Sequence, residues 1–424
     1  MLSSAISARL SERSIHYGWV VAATAFLTML VTAGTIGAPS VLLLPLQREF
    51  GWEASSISAA LAIRFFLFGL MAPFAAALMN RYGLRRMALT ALCIIFSGMG
   101  LSLFMTELWQ LIVLWGFVIG IGTGLTAMVM GATIATRWFT ARRGFVVGLL
   151  TASTATGQLV FMPLVAALTE AYGWHSAVIF IIAMLLVCAV AMLLFMRDRP
   201  SDLGLRPYGQ TVDEPPAAAA LSSNSPIDIL IEAAKTRIFW VLFLSFFVCG
   251  LSTNGLIQTH FVSLCADYGM TPVAATGFLA IIGIFDFVGT VASGWLSDRY
   301  DNRWLLFWYY GLRGLSLIWL PFTGFEFIGL SVFAVFYGLD WIATVPPTVK
   351  LTAQHFGREK ANMVFGWVFF GHQVGAATAA FGGGYIRDSY ASYLPALMVA
   401  GIACLIIAPF VLSGARQRMQ PAAA

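Results

Sequence analysis

Charge is what this sequence has least of. Asp, Glu, Lys and Arg make up 10% of its 424 residues, against about 25% in a water-soluble globular chain. That deficit excludes a conventional soluble domain. Cysteine is thin as well: Cys93, Cys188, Cys249, Cys265 and Cys404 lie in or beside apolar segments. They lack the spacing of a metal site or a disulfide framework and read as small core residues. A phosphate-binding glycine loop, zinc-ligand spacing and a recognisable nucleophile arrangement are missing too. No enzyme, metal or cofactor is therefore expected. The first fifteen residues, MLSSAISARLSERSI, are polar, and no cleavable secretory signal is expected there.

Apolar length is what the chain has in abundance. It is 59% hydrophobic, with a mean hydropathy of +0.85. Apolar runs cover 17–47, 55–79, 87–106, 109–136, 144–168 and 174–195, then 238–266, 274–296, 304–324, 327–350, 362–386 and 391–414. A straight crossing of a bilayer takes about 20 residues, so the longer runs imply tilt or ends that project into water. Residues 196–237, with DEPPAAAALSSNSP inside them, form the one long polar segment and read as a linker. The expectation is an all-α membrane protein of twelve transmembrane helices in two six-helix, pseudo-symmetric halves. Residues 1–195 form the first half, 196–237 a cytoplasmic linker and 238–424 the second half.

The few cations then orient the chain. With the N-terminus in the cytoplasm, twenty of the 24 Lys and Arg residues fall on the cytoplasmic side. Arg48 and Arg387 fall outside, and Arg64 and Arg313 lie within spans. The positive-inside rule therefore places both termini in the cytoplasm. Loop topology and anionic lipid account for these basic stretches, which leaves nothing to suggest nucleic-acid binding. The expected location is a cell membrane, the inner membrane in a bacterium.

An offset of 218 residues superposes the halves. Leu78, Arg81, Tyr82 and Arg85 fall on Leu296, Arg299, Tyr300 and Arg303, and Gly120, Gly148 and Gly157 fall on Gly338, Gly366 and Gly375. Six helices per half make the repeat parallel, about an axis along the membrane normal, with a central cavity expected between the halves.

The loops LMNRYGLRR (78–86) and GWLSDRYDNR (294–303) resemble the two copies of the loop signature of the major facilitator superfamily, Gly-x-Leu-x-Asp-Arg-x-Gly-Arg-Arg. The first copy has Ala76 for Gly and Asn80 for Asp; the second keeps Gly294, Asp298 and Arg299. The resemblance implies the major facilitator fold and a conformational gate at these loops, formed by Arg81, Arg85, Asp298, Arg299 and Arg303. Asp298 is expected to pair with Arg299 or Arg303, making the second copy the stronger latch. Within the superfamily, the opening HYGWVV (16–21) and the acid of the eighth span are similar to the monocarboxylate and organic-anion porter branch. The lysine and arginine that this branch carries fall here on Ser40 and Thr290. Either Arg64 or Arg313 replaces them, or the substrate is not a simple monocarboxylate. The superfamily's antiporter signature is also absent, since Met162–Pro163 is followed by Leu164 and Val165.

Ionisable residues within the spans are the functional candidates, because each is expensive in a bilayer. Arg64 lies nine residues into the second span, about 14 Å deep. Asp286 lies about 18 Å from the cytoplasmic end of the eighth span, and Arg313 can sit at a similar depth in the ninth. An Arg313–Asp286 pair could be structural, or Arg313 could meet substrate. The seventh span is the most polar, with Asn254 and Gln258 one turn apart on one face and Gly250 and Gly255 allowing a bend. In the tenth, Tyr337, Asp340, Trp341 and Thr344 share a face, and Pro346–Pro347 predicts a kink or break. His372 and Gln373 follow in the eleventh, and Thr28, Thr32 and Thr35 share a face of the first. Gly116, Gly120 and Gly124 line one face of the fourth and predict close packing.

Together these readings predict a secondary active transporter of a small organic anion, proton-coupled and working by alternating access. Substrate contacts are assigned to Arg64, Asn254, Gln258, Arg313, Tyr337 and Trp341, and proton coupling to Asp286, Asp340 or His372. Its partners would be the anion, the proton and the lipid bilayer, with no obligate protein partner. The alternative is a proton-coupled exporter of an amphipathic compound or drug.

Overall fold

A computed structural model describes residues 2–13, 15–126, 128–210 and 225–414. Linker residues 211–224 and the tail beyond 414, with Arg416 and Arg418, lie outside the described residues. The described chain is a bundle of helices which, apart from Leu2–Glu12 and Pro226–Ala234, is consistent with the twelve consecutive rods expected from the apolar runs. Among the described residues, nine helical stretches are long and apolar enough to cross a membrane.

In the first half, α1 runs Gly18–Gly37 and resumes at Pro39–Phe50. Next come α2, Ala54–Tyr82, and α3, Leu84–Ser102. The rod α4 runs from Leu108 to Trp138 through a π-helical stretch, Ile112–Val118. Then α5 is Arg143–Tyr172 and α6 is Trp174–Phe195. In the second half, α7 comprises Arg237–Gly250, a π-helical stretch Leu251–Gln258 and Thr259–Asp267. It is followed by α8, Pro272–Ser297, and α9, Asn302–Trp319. The rod α10 starts as Phe327–Asp340, breaks, and continues over 345–356; Gly357, at φ +75°, separates it from α11, residues 358–390. Last is α12, Leu394–Val411.

Local chemistry sets the boundaries. The side chains of Thr236, Thr271 and Asp301 accept backbone N–H groups at the starts of α7, α8 and α9, where helices leave donors unsatisfied. Gly83 joins α2 to α3 at φ +92°, and a Cβ there would lie 2.8 Å from an Asp198 carboxylate oxygen. No larger residue fits that corner without strain.

Packing follows small residues, as expected where lipid removes the hydrophobic drive between helices. Cβ atoms added at Gly116, Gly120 and Gly124 would strike Ala60, Arg64 and Phe68 of α2, so the predicted glycine face is the α4–α2 seam. On its outside the bundle is apolar: Trp304, Trp308, Leu312, Leu315 and Trp319 of α9 are exposed, while Leu306, Tyr310, Arg313 and Leu317 on the other face are buried. One buried apolar cluster is built almost entirely from α1–α6 and a second from α7–α12. The halves meet chiefly along α2 with α11 and α5 with α8.

Candidate functional site

The buried acids and bases organise around the break in α10. Prolines cannot donate to the preceding turn, so Pro346 and Pro347 leave the carbonyls of Ile342 and Ala343 without their helical donors. The N–H of Val345 turns back to Ile342 at 2.8 Å, which in turn releases the carbonyl of Trp341. Arg313 of α9 fills the gap. Its Nη2 donates to the carbonyls of Asp340 and Trp341 at 2.5 and 3.1 Å, its Nε to Asp340 Oδ2 at 2.9 Å, and its Nη1 to Cys249 Sγ at 3.0 Å. On the other side Asp286 of α8 accepts the N–H of Ile342 at 2.8 Å and the hydroxyl of Thr290 at 3.1 Å. Ser293 donates to the carbonyl of Ala343 at 2.5 Å. An acid thus takes the N–H of Ile342, Arg313 takes the carbonyls of Asp340 and Trp341, and Ser293 takes that of Ala343.

This geometry needs α8 and α10 almost in backbone contact. A Cβ at Gly289 would lie 1.9 Å from the Leu339 carbonyl, and one at Gly338 would lie 2.4 Å from that of Ile282. Gly289, Thr290 and Ser293 follow Asp286 along that one face of α8.

Arg313 therefore pairs with Asp340, and not with Asp286 as its depth suggested. All of its donor groups except one hydrogen are directed at protein atoms, and its side chain is fully buried. Tyr337 donates to the carbonyl of Ser252 at 2.7 Å, inside the π-helical stretch of α7, and is itself completely buried. Trp341 packs edge-on against it. Asp340, Tyr337 and Arg313 are thus joined to one another's elements by direct bonds. Cys249, Ser293 and Thr290 belong to the same network, and sequence reasoning passed over the first two. The signal for Ser293 was its place seven residues after Asp286, on the same helical face.

Arg64 stands apart. Its side chain is buried, yet among the described residues its one hydrogen bond is from Nη2 to the carbonyl of Ile36, 3.0 Å away; Nε has no partner. Among the described residues no carboxylate pairs with it. Ile36 precedes the interruption of α1 at Ala38–Pro39, so the guanidinium is held against a weakened turn. Gln258 is also buried, with neither end of its amide bonded. The two lie at one depth, as α11 shows. Ser58 and Gly69 of α2 meet Gly384 and Gln373, which sets Arg64 level with the middle of that stretch. Gly255 meets Ala376, and His260 bonds the Ala380 carbonyl at 2.8 Å, which sets Gln258 at the same level. Asn254 is half-buried, and the oxygen of Gln373 is unbonded. His372 contacts the Gln373 amide at 3.2 Å and stacks on Phe369. The hydroxyls of Thr28, Thr32 and Thr35 bond carbonyls of their own helix. Ser40 does the same with Gly37.

The loop residues expected to form a gate make contacts inside their own halves. Asp298 binds Lys350 of α10 at 2.7 Å, and neither Arg299 nor Arg303. Lys350 also caps the carbonyl of Ser297 at 2.7 Å. Arg299 lies over the ring of Trp295. Arg303 binds Asp301 at 2.7 Å and the Gly414 carbonyl, beyond α12, at 3.1 Å. Arg85 mirrors it by donating to the Leu193 carbonyl of α6 at 2.5 Å, and Arg81 is exposed beside Tyr82. Both halves use this arginine to cap their own sixth helix. The pairing of Asp298 with its loop neighbours fails because Asp301, two residues from Arg303, is nearer.

Comparison with known proteins accords with this architecture. The profile of the Major Facilitator Superfamily matches residues 24–380 and 266–422. The chain is 28% identical over 391 residues to monocarboxylate transporter 13 of Rattus norvegicus, covering 91% of this chain and 86% of that one. It is 26% identical over 358 residues to the uncharacterised MFS-type transporter YcxA of Bacillus subtilis strain 168, covering 83% and 84%. Among solved structures, a bacterial homologue of the human lysosomal transporter Spinster, in an inward-facing and unoccupied conformation, matches with a TM-score of 0.73. At 12% identity over 94% of this chain and 96% of that one, the likeness is one of fold.

Proposed function

Because this chain belongs to the Major Facilitator Superfamily, we propose that it is a transporter that moves a small organic anion of the monocarboxylate kind together with a proton, by alternating access. Arg64 carries the reading. A guanidinium stays charged at any physiological pH, and a buried charge without a partner is unfavourable. Arg64 has a backbone carbonyl and no acid beside it, so a visiting carboxylate would supply the missing counter-charge, with two N–H groups able to meet its two oxygens. Arg313 is not free for that task, since Asp340 and two carbonyls occupy it. Gln258, from the other half and at the same depth, offers an unbonded amide to the rest of the substrate. The names of several relatives, monocarboxylate transporters 12 and 13, favour the same substrate class.

We assign the proton to Asp286. Asp340 faces a guanidinium at 2.9 Å, whereas Asp286 accepts only a backbone N–H and a hydroxyl. Protonation there removes a buried negative charge and weakens the hold on Ile342 at the α10 break. With both anion and proton bound, or with neither, the buried charges of Arg64, Asp286 and the substrate sum to zero; with only one of the two bound a net charge is buried, and this penalty couples the two fluxes. We assign the linker and both termini to the cytoplasm, which the distribution of cations favours.

Uptake into proteoliposomes tests the reading. An inward proton gradient should drive accumulation of a monocarboxylate, and Arg64→Leu should abolish it. Flat uptake of every monocarboxylate, with and without the gradient, overturns it, and proton-driven loss of a preloaded amphipathic dye would point to export instead.

A further inference from the structure

We infer that Glu170 and Asp388 are paired latches that hold the end of the bundle opposite the linker closed. Asp388, at the end of α11, accepts the N–H groups of Ala54 and Ser55, the first residues of α2, at 3.3 and 2.7 Å. Glu170, at the end of α5, accepts the N–H of Val273, the second residue of α8, at 3.3 Å. Each bond crosses from one half to the other. These are the hydrogen bonds joining the two rod bundles directly among the described residues; the loop arginines and Lys350 at the linker end bind within their own halves.

The two latches are one device used twice. The 218-residue offset that relates the halves carries Glu170 onto Asp388, and Ala54 and Ser55 onto Pro272 and Val273. In both, a carboxylate sits at the N-terminus of a helix, where unsatisfied N–H groups and the helix dipole favour negative charge. Helices of 29 and 26 residues are capped in this way. One difference is written into the sequence: Pro272 has no N–H, so Glu170 holds one donor where Asp388 holds two.

Solvent reaches this seam. A cavity of about 610 Å³ opens between α1, α5, α7 and α8, lined by Arg48, Glu49, Glu170, Trp174 and Thr271 among others. The neighbouring charges are largely committed to their own halves: Glu49 accepts from Trp174 at 2.6 Å, and Arg387 binds Asp267 at 2.7 Å. Glu53 accepts weakly from the Ser55 hydroxyl at 3.4 Å. Releasing both latches would therefore free the halves to part at this end without breaking any ion pair.

Spin labels on the repeat mates Tyr172 and Tyr390 test this. Both are exposed, at the far ends of α5 and α11. With exposed Cys93 replaced, Y172C/Y390C would be labelled in the full-length protein, and the distance distribution measured by double electron–electron resonance. E170A/D388A should raise the long-distance population about tenfold relative to the short one, the factor that 1.4 kcal/mol represents. D388A alone should exceed E170A alone. A54P removes one donor from the opposite side, at a position where proline suits a helix, and should give an intermediate shift. An unchanged distribution in both the double variant and A54P overturns the inference. No substrate enters the measurement, so its outcome is independent of the proposed cargo.

Discussion

Arg64 and Arg313 are the two membrane-embedded arginines, and their surroundings separate them. Arg313 is bonded to Asp340, Cys249 and two carbonyls. Arg313→Leu would leave Asp340 buried and unpaired, a loss of about 3–5 kcal/mol. The variant should melt far below the parent in detergent, and added substrate should not restore it. Arg64 has no acid to orphan, so Arg64→Leu should fold with a melting temperature close to the parent while uptake is lost. Equal destabilisation by both changes would assign Arg64 a structural role as well. In the sequence the two had the same standing, because depth along a helix can be counted and the direction of a side chain around it cannot. Depth alone pointed Arg313 to Asp286, and packing of α9 against the α10 break selected Asp340.

The crossing of α8 and α10 is where helix-level reasoning met its limit. Pro346–Pro347 announced a break, and Asp286, Asp340 and Trp341 were legible as unusual residues. Which neighbour satisfies the freed backbone groups depends on two glycines: Gly289, which nothing in the sequence marks, and Gly338, marked only as the repeat mate of Gly120. Gly289→Ala would set a methyl 1.9 Å from the Leu339 carbonyl, so α8 must retreat and Asp286 must lose Ile342. Such overpacking costs about 1–3 kcal/mol or more, and both stability and uptake should fall. Asp286→Asn isolates the proton from the packing. Its amide oxygen can still accept from Ile342, so folding should persist while uptake stops responding to an imposed proton gradient. Thermal unfolding and gradient-driven uptake, run side by side, check both variants. Full gradient dependence in Asp286→Asn would move the proton site to another group, His372 being the next candidate.

For the whole molecule, the internal repeat was the most informative sequence feature, and it carried further than the loop signature. That signature suggested contacts between Asp298 and its neighbours, but the structure places Arg85 and Arg303 at the end of the sixth helix of their own half. The same 218-residue offset relates Glu170 to Asp388, two acids that resemble ordinary loop charges until both are seen capping the opposite half. The bundle therefore consists of two separately packed cores, and the parts of the proposed site, Arg64 and Gln258, come one from each half. A carboxylate bound there would bridge the cores, and binding to the folded state alone raises stability by about 2.7 kcal/mol at one hundred times the dissociation constant. The shift per kcal/mol shrinks as the chain lengthens, from about 2–4 °C at roughly 200 residues, so this 424-residue protein should melt a few degrees higher with a recognised monocarboxylate. Gln258→Leu should reduce that shift and Arg64→Leu should remove it. A full shift in Arg64→Leu would mean that the anion binds elsewhere. A full shift in Gln258→Leu would mean that the ligand rests on the first half alone, where it could not link binding to the movement of the halves.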